Sequence, residues 1–115
     1  MSKSKVLPEI KVVLSPCEPG ERAIPFDYPD NLGLRTKLGG KPDWIQNEAV
    51  PRCLSCRKPM TFVAQIDSIG YESRKNPLSK EVVKEKQEYM FADVGMIYVF
   101  FCFPCIETQS VLQYY

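Results

Sequence analysis

The sequence predicts an α+β fold: a mainly antiparallel β-sheet with short helices and a zinc-stapled pair of C-x-x-C turns. Three observations carry this expectation. "PRCLSCRKPM" (51–60) and "VFFCFPCIET" (99–108) each place two cysteines three positions apart. The runs beside them, "MTFVAQID" (60–67) and "GMIYVFFC" (95–102), are rich in strand-forming residues. Ten prolines, most of them in the first half, leave little room for long helices.

A chain of 115 residues has the size of one domain, and we read 1–115 as a single zinc-binding unit. An apolar fraction of 44% against 25% charged residues is enough to build a core. Fifteen Lys and Arg face fourteen Asp and Glu, so the net charge of +1 offers no basic footprint for nucleic acid. The first residues, "MSKSKVLPEIKVVL", lack the apolar core of a secretory signal. The longest apolar run, "GMIYVFFCF" (95–103), is too short to span a bilayer as a helix. These points predict a cytoplasmic protein with no membrane partner. In a reducing compartment, clustered cysteines bind metal or do redox work more often than they form structural disulfides.

Taken in order, "EIKVVL" (9–14) reads as a first strand. "SPCEPGERAIPFDYPDNLGLRTKLGGKPDW" (15–44) is turn-rich and reads as coil with short extended pieces. The second strand is "MTFVAQID". Between Asp67 and Asp93 the chain is polar and reads as a solvated charged face: either a weakly held short helix from Ser79, as its N-cap, to Glu88, with Val82, Val83 and Tyr89 its inward candidates, or equally a mobile loop. "DVG" (93–95) reads as a turn feeding "GMIYVFFC", which is apolar on both faces and therefore central in a sheet. "ETQSVLQYY" (107–115) alternates as a half-exposed strand does. The four residues "FPCI" (103–106) join these last two as a hairpin.

Cys53, Cys56, Cys102 and Cys105 form the candidate metal site. Each pair can wrap one side of an ion, and two pairs complete a tetrahedron of thiolates. Zinc suits sulfur ligands and this geometry. Forty-five residues separate Cys56 from Cys102, yet loop closure costs only about 0.6 kcal/mol for each doubling of length. Four thiolates on Zn²⁺ carry a formal charge of −2, which Arg52, Arg57 and Lys58 can offset. Neither pair is followed by the glycine common in zinc knuckles. Three other readings stay open: thiol-redox chemistry at "CFPC" (Cys102 and Cys105), a four-cysteine iron centre, and four free cysteines. Cys17, in "SPCEPGE", is read as a bystander.

Little in the chain suggests catalysis. It has no histidine, the usual general base. It shows no nucleophile elbow, phosphate-cradling loop or paired-carboxylate signature. "LGGKPDW" (38–44) lacks the strand and helix that a phosphate loop needs. Asp43, Asp67 and Asp93 each sit beside a turn, where capping and turn hydrogen bonds explain them.

The ordered series "KLGGKPDWI", "PRCLSCRKPMTFVAQID" and "DVGMIYVFFC" resembles the YwqG-like (DUF1963) family, and with its cysteine pairs it is similar to the programmed-cell-death-2 family. The resemblance covers residues 33–105. It implies a compact antiparallel β fold with short helices and a role in binding other proteins. Bacterial members resemble immunity proteins encoded beside polymorphic toxins, and eukaryotic relatives look like chaperones of a ribosomal protein. The expected function is a non-catalytic immunity protein that occludes the active site of a cognate toxin, with an ADP-ribosyltransferase as one candidate. The alternatives are a chaperone or adaptor for a ribosomal or other basic protein, and a thiol-redox protein using Cys102 and Cys105. Tyr28, Trp44, Glu72, Glu81 and Glu85 are the candidate partner contacts, because loop aromatics and complementary charge serve tight interfaces.

Overall fold

The computed structural model describes residues 4–21, 32–71, 73–76, 79 and 88–115. Four strands make up the regular structure among them: β1 (Lys37–Leu38), β2 (Thr61–Asp67), β3 (Met96–Cys102) and β4 (Glu107–Gln113). They form one sheet in the order β1-β2-β3-β4, with each neighbouring pair antiparallel. The apolar, β-branched and aromatic run of β3 takes a central place, as its sequence predicts. Its register with β4 is unbroken from Met96↔Gln113 to Cys102↔Glu107. Its register with β2 shifts between Phe62 and Ala64. That irregularity lets Phe62, opposite Phe100, and Gln65, opposite Tyr98, share one face.

That face is the core. Met96, Tyr98, Phe100 and Cys102 are buried on it with Cys53 and Met60, and Trp44, Ile45, Val50 and Val111 pack against them. The covering segment is tied down by polar side chains of the sheet. The Tyr98 hydroxyl donates to the Asp43 carbonyl at 2.8 Å and accepts from the Ile45 amide at 3.1 Å. Burial pushes this phenol up to about 12, so it stays a donor. Gln65 accepts from the Asp43 amide at 3.0 Å and donates to the Arg35 carbonyl at 2.7 Å. Gln113 accepts from the Gln46 amide and donates to the Asn47 carbonyl, at 2.8 and 2.6 Å. The layer thus satisfies its buried backbone groups on the sheet.

Asp67 closes the far end of β2. Its carboxylate accepts from the Gly33 and Arg35 amides, at 2.7 and 3.1 Å, and from the Arg35 guanidinium through Nε and one terminal nitrogen, at 3.0 and 2.6 Å. Both residues are buried. Asp67 is therefore the anchor that holds residues 33–35 on the sheet, more than the turn residue its sequence context suggests. Asp93 does lie in a turn, and Gly95 follows it. A Cβ at Gly95 would run into the Phe91 and Gln113 carbonyls, so the close approach there needs glycine.

The other face of the sheet carries Thr61, Ala64 and Ile66 from β2, Ile97, Val99 and Phe101 from β3, and Thr108, Ser110 and Leu112 from β4. None of the nine is buried. β3 is apolar on both faces; among the described residues one face is buried, while Ile97, Val99 and Phe101 on the other are half-buried.

Two expectations change. Residues 9–14 form no strand; they are non-regular, with Val12, Val13 and Leu14 exposed, because no neighbouring edge supplies the ladder bonds a strand needs. The short helices expected of an α+β fold are not among the described elements, which make a mainly-β unit. Of the helix expected over 79–88, Ser79 is helical and residues 80–87 lie outside the described residues. No helix among the described residues is long and apolar enough to cross a membrane.

Candidate metal centre

The first cysteine pair sits on a tight turn entering β2. Arg52 and Pro59 form an isolated antiparallel bridge, and Met60 donates its amide to the Pro51 carbonyl at 3.0 Å. Inside this bridge Cys53 donates its amide to Lys58, and Arg57 donates its amide back to Cys53, at 2.9 and 2.8 Å. The second pair spans the β3–β4 hairpin. Cys102 ends β3, and the Ile106 amide donates to the Cys102 carbonyl at 2.8 Å. The two turns repeat one design: the residue after the second cysteine donates back to the first. In both turns that residue is left-handed, Arg57 at φ 66° and Ile106 at φ 55°. The sequence lacks glycine at these positions, but the backbone takes the conformation that glycine would favour.

The turns bring Cys53, Cys56, Cys102 and Cys105 together, with all four Sγ atoms within 4.8 Å of one another. The Cys56 and Cys102 sulfurs are 3.7 Å apart. A tetrahedral ion at about 2.3 Å from each sulfur needs neighbouring sulfurs roughly 3.8 Å apart, so the donor set fits a metal ion. Two of the four residues are buried and two are half-buried. None is in a disulfide, and Cys17 is free and exposed, away from the cluster.

Backbone amides point at these sulfurs. The Lys58 amide, ahead of the neighbouring thiols, lowers Cys56 to about 7. The Cys105 thiol donates to its neighbours' sulfurs, first Cys53 and then Cys56, so it holds its proton and is pushed up to about 12. The Cys56 amide draws Cys53 down, but the Glu107 carboxylate and burial outweigh it and raise that thiol. Of Cys53, Cys56 and Cys105, Cys56 is thus the sulfur most ready to be a thiolate.

Glu107 is a participant that the spacing of the cysteines does not reveal. Its carboxylate accepts from the Ser55 hydroxyl and, at 3.0 Å, from Cys53 Sγ. These bonds, Ser55 first, hold it below the usual carboxylate range. The contact ties one cysteine turn to the other. A signal was available: in a four-residue hairpin loop Glu107 stands directly across from Cys102.

Around the cluster, Leu54, Phe103 and Ile106 are 72%, 64% and 78% exposed. Phe103 meets Phe101 edge-on, with centroids 4.8 Å apart. Of the expected partner contacts, Trp44 is half-buried over Tyr98 and Phe100, at centroid distances of 4.7 and 6.0 Å. Tyr28, Glu72, Glu81 and Glu85 lie outside the described residues.

Comparison with known proteins finds a relative in Salmonella typhimurium (strain LT2), the uncharacterized protein YpfL. It is 32% identical over 107 residues, which make up 90% of this chain and 21% of the relative. The chain therefore spans about a fifth of that protein's length. No family model and no solved structure matches the chain.

Proposed function

We propose that the chain is a non-catalytic protein-binding module whose two cysteine turns are pinned by one structural zinc ion. The observation that carries this reading is the convergence of four sulfurs to within 4.8 Å from two distant turns. Four cysteine ligands fill a tetrahedral shell and leave no position for water or substrate, so such an ion contributes architecture and not Lewis-acid chemistry. Zinc matches thiolate donors at this spacing. The loops that it would pin hold Leu54, Phe103 and Ile106 in solvent. A β-branched residue held left-handed at an exposed tip fits selection for contact over local stability.

The finer reading is an immunity protein that binds a cognate toxin and blocks its active site, a toxin of the ADP-ribosyltransferase kind being one candidate. It rests on the sequence resemblance and on the lack of histidine-based acid–base chemistry. Co-expression with a toxin encoded next to this chain is the test. Protection of the cells and copurification of the two proteins are the expected results. Neither protection nor a complex would reject the immunity role.

A further inference from the structure

Cys56 and Cys102 come from different turns, and their sulfurs lie 3.7 Å apart. A disulfide needs about 2.05 Å, so each sulfur has to move less than about 1 Å to close one. We propose that these two residues are a peroxide-sensitive pair, which closes a disulfide across the two turns and releases the metal ion. The release step rests on the zinc reading; the disulfide step rests on the placement of the sulfurs.

Access and charge single out Cys56 as the sulfur that reacts first. Cys53 and Cys102 are buried, whereas Cys56 and Cys105 are half-buried. Ser55, Arg57 and Lys58 beside Cys56 are exposed, so a small peroxide reaches its sulfur from solvent. The two cations that follow Cys56 favour an anionic sulfur and the departure of an anionic oxygen. Cys105 stands instead between Pro104 and Ile106, with Glu107 next. Cys53 is a poorer second partner than Cys102, because its sulfur is engaged by the Glu107 carboxylate at 3.0 Å. Cys17 is exposed and stands apart from the cluster.

The Cys56 thiolate attacks one oxygen of hydrogen peroxide; the O–O bond breaks, hydroxide leaves and the sulfur becomes a sulfenic acid. The Cys102 thiolate then attacks that sulfur; the S–S bond forms, the S–O bond breaks and a second hydroxide leaves. The two sulfurs lose two electrons in all, the peroxide gains them, and two protons from solvent turn both hydroxides into water. Only Cys53 and Cys105 then remain as thiolates, and two ligands do not make the four-sulfur shell of a structural site. The new bond takes over the structural task. It joins residues 46 positions apart, so the turns stay together and Leu54, Phe103 and Ile106 stay presented without metal. A dithiol reductant reverses the step by thiol–disulfide exchange.

Titration of the zinc-loaded chain with hydrogen peroxide tests this, with a zinc-sensing dye in solution and peptide mapping by mass spectrometry. The Cys17→Ser variant is run beside the parent, because it lacks the exposed thiol that could pair between chains. In both, zinc release should keep pace, one for one, with a Cys56–Cys102 disulfide. A dithiol with added zinc should restore the starting mass. The oxidised, metal-free chain should melt above the reduced, metal-free chain, by as much as roughly 15 °C for a closed loop of this length. Bridges inside the pairs, Cys53 to Cys56 or Cys102 to Cys105, would overturn the proposal. So would zinc release with sulfinic or sulfonic acids in place of a disulfide, or a chain that keeps its zinc and thiols in a large excess of peroxide. A chain that carries no zinc before oxidation would overturn the metal reading and the release step, and the disulfide map would then decide the pairing.

Discussion

Replacing Asp67 with alanine should be among the most damaging single changes outside the cysteine cluster. The carboxylate accepts four hydrogen bonds, two from amides and two from the Arg35 guanidinium, with donor distances from 2.6 to 3.1 Å. Arg35 is only 6% exposed. Asp67→Ala removes both bonds from the Arg35 guanidinium to a carboxylate, while the Tyr115 hydroxyl at 3.2 Å and the Val94 carbonyl at 3.5 Å stay beside it. Removing one partner of a buried ion pair costs about 3–5 kcal/mol. Unfolding entropy of about 2.1 cal/mol/K per residue, over 115 residues, turns a loss of 4 kcal/mol into a fall in Tm of roughly 15 °C. The assay is thermal unfolding of parent and variant at saturating zinc. The double variant Arg35→Met with Asp67→Leu should recover much of the loss, since an apolar pair leaves no buried charge unpaired. A fall of less than about 4 °C for Asp67→Ala, equivalent to roughly 1 kcal/mol, would refute the anchoring role.

Two further predictions concern the cysteine turns. Ile106→Gly should leave stability unchanged or raise it by up to about 1.5 kcal/mol: relief of a left-handed β-branched residue is worth about 1–2 kcal/mol, and the added chain entropy of glycine offsets about 0.5–1 kcal/mol. The side chain is exposed, so little packing is lost; chemical denaturation reads the outcome, and a clear loss would contradict the backbone assignment. In the metal-free chain Cys56 should alkylate ahead of Cys105. Its rate should rise as pH climbs through about 7, where the thiolate forms, while Cys105, pushed up to about 12, stays protonated and slow. Mass mapping of modified peptides across pH 5–9 measures this, and equal rates at Cys56 and Cys105 near pH 7 would count against the arrangement.

Much of the sheet is legible in the sequence. The alternation in 107–113 and the apolar run 96–102 mark β4 and β3, and the loop "FPCI" fixes their hairpin. The cysteine spacing marks the site, because two C-x-x-C turns are a local pattern and the tertiary contact only has to bring them together. Other features depend on contacts that no local pattern encodes. "EIKVVL" has the composition of a strand, but a strand exists only where an edge pairs with it. Apolar residues on both faces of β3 announce two faces to cover, and leave open whether the cover comes from this chain. The Arg35–Asp67 pair joins residues 32 positions apart, and nothing near either residue points to the other. The left-handed Arg57 and Ile106 are hidden for a different reason: the conformation is imposed by the turn's hydrogen bonds against the preference of the residues themselves.

The central claim is that the four cysteines hold one structural zinc ion, and metal content of the purified chain tests it most directly. Native mass spectrometry with elemental analysis should find one zinc per chain. Cys102→Ser should lose the metal and unfold at a much lower temperature, because metal-binding energy is folding energy in such sites. Cys17→Ser should keep both metal and melting temperature, since that residue is exposed and stands apart from the cluster. A chain that binds no zinc, and melts at the same temperature with and without a chelator, would contradict the account.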